Sequence, residues 1–191
     1  MAEPPRRPAR HDQVTSGARP PRWTFPLLGS RVRLSVGMAV WLALAVGIVA
    51  AGPSRPVAWA PLLVTLSVAG STLVHEAAHA WVAHNLGYRV EWVVLGGFAG
   101  LTAYFGRDDR PLERAAVALA GPAASGGLVI GLVAVRALLT PPTLLTALVE
   151  LVIAMNVVAL VINLLPVGGT DGAHLVQGLF QHRRQSRPTR R

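Results

Sequence analysis

The chain contains neither cysteine nor lysine. Without cysteine there is no disulfide, no thiolate metal site and no cysteine nucleophile, so any bound metal must be held by His, Asp or Glu. Without lysine all 18 basic residues are Arg, a bias that a GC-rich genome explains without reference to function. Charge is scarce: 14% of the 191 residues are charged against 52% hydrophobic, and the mean hydropathy is +0.45. The charges crowd at the two ends and in one middle stretch, leaving long uncharged runs between them. That is the pattern of a membrane protein. The formal net charge of +9 raises nucleic acid as a partner, but the Arg residues flank apolar runs and form no stripe with interleaved aromatics. No nucleic acid partner is expected.

Residues 1–33 hold six prolines among seven Arg and few large aliphatic residues before Leu27. They read as a disordered cytoplasmic arm. A membrane-embedded domain over 34–176 and a basic cytoplasmic tail over 177–191 are expected to follow. The apolar run from about Leu34 to Ala51 has the length of a signal-peptide core, yet its basic leader is too long, and a first transmembrane helix ended by Gly52 and Pro53 fits better. Further spans are expected at about 57–84, 114–139 and 143–165. Between the second and third, Arg89–Leu95 and Phe98–Phe105 are rich in Val, Trp, Tyr and Phe and are separated by Gly96 and Gly97, which predicts a short β-hairpin.

The expected fold is thus an all-α polytopic membrane protein of about four transmembrane helices carrying one hairpin. Four spans put the arm, the middle region with Arg89, Arg107 and Arg110, and the five Arg of the tail on one side. The positive-inside rule then makes that side, with both termini, cytoplasmic in a bacterial cell membrane.

Residues 75–79 read HEAAH. On a helix, positions i and i+4 share a face, so His75 and His79 can offer two imidazole nitrogens to one zinc ion. Glu76 points about 100° away from His75, in reach of a zinc-bound water and not of the metal. Such a carboxylate can take a proton from water whose pKa zinc has lowered to about 7. In a soluble helix this five-residue pattern would be a moderate signal. At the centre of a membrane helix each ionisable residue costs roughly 2.5–3.5 kcal/mol, and such residues mark function. A solvated helix end is the bland alternative, but His75 precedes His84 by nine residues, about 13 Å inside the expected helix end.

A catalytic zinc needs a third protein ligand. His11 and His182 lie in the ends expected to be disordered, and Asp108 and Asp109 lie in the connecting region. Asp171 follows the last span in NLLPVGGTDGAH, where Gly168, Gly169 and Gly172 allow the backbone to turn back, and it is the favoured candidate.

With these residues in place the chain resembles the site-2 protease family of intramembrane metalloproteases, in the compact form without PDZ or CBS domain. That family has HExxH in one transmembrane helix and a later Asn-x-x-Pro-x-x-x-x-Asp-Gly segment, matched here at Asn163, Pro166, Asp171 and Gly172. The likeness extends to Gly96–Gly97 and to ERAAVALAGPAAS at 113–125, so that it covers about residues 57–176. It implies zinc held by His75, His79 and Asp171 with Glu76 as general base. Ser125, where relatives often carry Asn, and Thr170, where Leu is common, depart from the pattern without removing a ligand.

Asn163 could bind substrate or an oxyanion, or bond across helices, and Asn156 reads as interhelical glue. Glu150 could be catalytic, but pairing with Arg136 or a polar lining near the outer surface fits it better. His174 either supports the site or faces the cytoplasm. The resulting expectation is a zinc metalloendopeptidase whose partners are the bilayer and a transmembrane substrate, a helix that unwinds locally so that its carbonyls become accessible. Membrane-bound regulators such as anti-sigma factors are what the resemblance suggests. The rivals are an HExxH protease whose third ligand is Glu91, Glu113 or Glu150, and an inactive homologue that binds helices or metal.

Overall fold

The computed structural model of the chain describes residues 24–27, 30–52, 59–96, 100–105, 110–140 and 143–186. Among them are strands β1 (Thr24–Leu27) and β2 (Ser30–Leu34), helices α1 (Val36–Ala51) and α2 (Ala60–Asn85), strands β3 (Arg89–Leu95) and β4 (Gly100–Phe105), and helices α3 (Pro111–Leu138), α4 (Leu144–Leu164) and α5 (Asp171–Gln185).

The expected hairpin forms as β3 and β4, but it is half of a larger sheet. The order is β1-β2-β3-β4, antiparallel except for the parallel β2–β3 pair, with a register shift between Val90 and Trp92. This corrects two expectations. The fold is mostly helical and not all-α with a lone hairpin, and the arm expected over 1–33 loses its last residues to strands, the rest lying outside the described residues. The reason is the alternation Arg31, Val32, Arg33, Leu34, a strand period hidden inside a Pro- and Arg-rich composition. Val32 turns inward to pack with Ala80, Val93 and Leu95, while Arg33 turns outward over the Trp92 ring.

Ser35 ends the strand and caps α1, its Oγ accepting from the Met38 N–H at 3.1 Å. A second small core, Ala83, Tyr88 and Val117, joins α2 to α3 and the sheet. Most large aliphatic side chains lie outside these cores. Leu145, Val158, Val161 and Ile162 on α4 and Ile130 and Leu138 on α3 are each more than half exposed. Exposed aliphatic side chains in this number suit lipid better than water. Two helices, α3 and α4, are long and apolar enough to cross a membrane. Four such helices were expected: α1 has 16 residues, and α2 is made polar by His75, Glu76, His79 and His84.

Within the segment expected as a basic tail over 177–191, α5 continues to Gln185 and lies against α3, and residues 187–191 lie outside the described residues. Gly178 permits this approach: a Cβ there would meet the Pro111 carbonyl oxygen at 2.7 Å and the Ala115 Cβ at 3.0 Å. Arg114 Nη2 donates to Gln181 Oε1 at 2.8 Å across the same contact.

Candidate metal centre

The second half of α2 brings His75, Glu76 and His79 into the interior, where all three are buried. The two imidazoles meet edge to face with Nε2 atoms 3.1 Å apart. Asp171, 96 residues downstream of His75, completes the group: its Oδ2 is 3.0 Å from His75 Nε2 and its Oδ1 is 3.3 Å from His79 Nε2.

Each imidazole is held from behind. His79 Nδ1 donates to the Val117 carbonyl at 2.7 Å, and His75 Nδ1 lies 2.9 Å from Ser125 Oγ. Val117 and Ser125 flank Pro122 on α3, whose missing N–H leaves the Ala118 carbonyl without its usual helix partner. Gly121 supplies the space, because a Cβ at that position would run into both Nε2 atoms.

Asp171 is placed by a short chain of local constraints. The backbone reverses at Gly169 with φ +87. Thr170 then caps α5, its Oγ accepting from the Ala173 N–H at 3.3 Å and donating to the Val167 carbonyl at 2.8 Å. This puts Asp171 in the first turn, where the helix dipole favours a carboxylate. Gly172 lets the turn close against α4, since a Cβ there would strike the Leu164 carbonyl. Burial alone would raise the Asp171 carboxyl, but hydrogen bonds and charge from His75 and His79 hold it well below the usual carboxylate range.

Two imidazole nitrogens and a carboxylate converging at 3.0–3.3 Å need donor hydrogens or a metal ion between them. The donor set suits a metal. With bonds of about 2.0–2.2 Å, tetrahedral zinc spaces its ligand atoms roughly 3.3–3.5 Å apart. Among the described residues His75, His79 and Asp171 are the group of three that could hold an ion. Of the rival ligands, Glu113 pairs with Arg110 at 2.8 Å, Glu150 pairs with Arg136 at 2.7 Å as expected, and Glu91 is exposed on β3. His182 sits in the last turn of α5, and His11, Asp108 and Asp109 lie outside the described residues.

Glu76 lies between two cavities. One, about 370 Å³, runs between α2 and α4 and is lined by His75, Ser125, Asn156 and Asn163 among largely aliphatic residues. The other, about 280 Å³, opens between β4 and α5 past His79, Thr102, Tyr104, Asp171 and His174. Thr102 Oγ1 donates to Glu76 Oε2 at 2.5 Å, and a Cβ on Gly100 would collide with the same carboxylate. Asn163 therefore lines the site, and exposed His174 borders it. Asn156 bonds the Val152 carbonyl of its own helix at 2.8 Å, where a bond across helices had been expected.

Sequence reasoning missed Thr102, the space-making roles of Gly100 and Gly121, and the contact that makes Ser125 more than a departure from a pattern. Only Gly121, next to a proline inside an apolar run, carried a signal that could have been read.

No family model matches the chain. Two sequence relatives carry the name "Putative zinc metalloprotease". Rip3 of Mycobacterium tuberculosis is 36% identical over 120 residues, 59% of this chain and 30% of that protein. The protein sll0528 of Synechocystis is 30% identical over 118 residues, 62% of this chain and 31% of that protein. The chain thus spans about a third of the length of these relatives. Among solved structures it resembles the site-2 protease from Methanocaldococcus jannaschii with a TM-score of 0.64 at 19% identity, covering 84% of this chain and 73% of that one. The chain has a site-2 protease fold, and the resemblance drawn from its motifs is borne out.

Proposed function

We propose that the chain is a multi-pass intramembrane zinc metalloprotease that hydrolyses peptide bonds in or near the transmembrane helices of other membrane proteins. The observation that carries this reading is the convergence of His75, His79 and Asp171 beside a carboxylate standing where an apolar cavity meets a polar one. His75 Nε2, His79 Nε2 and Asp171 would hold the ion. Zinc held there would supply the Lewis acidity that polarises a peptide carbonyl and lowers the pKa of water toward neutral. Thr102 keeps Glu76 Oε2 occupied, which turns Oε1 to the task of taking a proton from water and handing it to the leaving amine. Water reaches the site through the polar cavity, from the side on which the reading places both termini. The substrate segment would lie against β4, the edge strand of the sheet among the described residues, and pair with it as an unwound strand. Asn163, in the lining of the apolar cavity, would donate to the substrate carbonyl. A carrier or inactive binding protein would have no use for Glu76.

The reading is tested by metal content and cleavage together. Wild-type protein purified in detergent should carry one zinc per chain and cut a reconstituted transmembrane substrate, with activity lost to a chelator and restored by zinc. Asp171→Ala removes a ligand and should weaken zinc binding by more than about 100-fold, beyond what loss of a supporting contact causes. Full zinc occupancy in that variant would refute the ligand set. Ser125→Ala leaves all three ligands and loosens only the His75 ring. Its zinc affinity, measured by chelator competition, should fall about tenfold, with a melting profile close to wild type.

A further inference from the structure

On the outer face of the sheet, Arg31, Arg33 and Arg89 line a concavity of about 400 Å³ together with Val90, Glu91 and Trp92. Three guanidiniums against one carboxylate leave a surplus of positive charge that no described acidic residue other than Glu91 shares. Arg33 is held in place by its ring contact, 4.0 Å from the Trp92 centroid. A guanidinium held over a ring can keep N–H donors for an oxygen ligand. Its Nε is buried without a hydrogen-bond partner among the described residues, which is costly unless a ligand answers it.

The location selects the ligand. Arg33 stands three residues before Val36, the start of α1, so at about 3.3 Å per residue it lies within roughly 10 Å of an apolar helix. Val36, Val40, Trp41 and Leu44 on that helix are exposed to the surroundings. Where α1 enters the bilayer, as the membrane reading above requires, the concavity lies at the depth of the phosphate groups.

We propose that Arg31, Arg33 and Arg89 form a binding site for the phosphate of an anionic phospholipid headgroup, fixing the sheet against the membrane surface. Arg forks match phosphate oxygens pairwise, and Trp92 and the aliphatic stems cover the glycerol side. The site is independent of the hydrolytic reading, since it is read by lipid binding alone.

Full-length protein would be placed in nanodiscs of phosphatidylcholine doped with phosphatidylglycerol, and the lipid retained after detergent extraction measured by native mass spectrometry. Wild-type protein should retain phosphatidylglycerol in preference to phosphatidylcholine, and Arg31→Gln with Arg33→Gln should lower that preference roughly tenfold or more. Arg89→Gln, at an exposed position, should lower it severalfold and answers for the case in which the double variant fails to fold. Arg136→Gln, remote from the sheet, should change nothing. Equal retention of the two lipids by wild-type protein would overturn the proposal. So would unchanged preference in Arg89→Gln and the double variant, or displacement of the lipid by millimolar inorganic phosphate.

Discussion

Glu76→Gln should bind zinc as wild-type protein does and cleave at least about 100-fold more slowly, the lower end of what a positioned general base contributes. The substitution is nearly isosteric, so the fit between Gly100 and Thr102 survives: the side-chain amide can still accept from Thr102, but its other end cannot take a proton from water. Zinc content should remain at one per chain, because Glu76 is not among the three converging ligands. In cells, a comparison of membrane proteomes should show intact transmembrane proteins accumulating in the variant and not in wild type. Those that accumulate are the candidate substrates. A variant with full activity would remove Glu76 from the chemistry. A variant without zinc would instead mean that its carboxylate shapes the site.

The split between what was legible in the sequence and what was not follows the range of the interactions. HEAAH could be read because the helix repeat alone puts His75 and His79 on one face, and the glycines around Asp171 announce a reversal in a few residues. The apolar runs gave helix boundaries within about three residues for all four long helices. What failed depended on partners distant in the chain. β2 exists because Val32 finds Val93 about sixty residues later, and nothing local in an Arg-rich segment announces that pairing. α5 was not expected as a helix, because the Arg-rich end of the chain gives no local sign of the face that Gly178 offers to α3. Ser125 looked like a neutral departure until the α2–α3 crossing put its hydroxyl against His75 Nδ1. The four-span topology rests on charge asymmetry, which two apolar helices agree with but do not complete.

The largest effect from the smallest change is expected at Gly121. A single methyl group there would occupy the space now taken by the Nε2 atoms of His75 and His79, the two nitrogens that face Asp171. Neither ring can swing aside freely: His79 is tied by Nδ1 to the Val117 carbonyl and His75 to Ser125, on the same helix that carries the intruding methyl. Moving α3 outward instead would pull those two anchors away from the rings and disturb the packing of Ala83 against Val117. Either response breaks the ligand geometry, so Gly121→Ala should lose zinc as completely as Asp171→Ala while changing no ligand. Overpacking a tight contact typically costs about 1–3 kcal/mol, so the variant should fold, with a lowered melting temperature. At Gly127, also on α3, an added Cβ meets nothing within 4 Å, and Gly127→Ala should bind zinc normally. If Gly121→Ala retained zinc with wild-type affinity, the close approach of α3 to the imidazoles would be wrong. The account of how this helix crossing builds the metal centre would then fail, even with all three ligands correctly assigned.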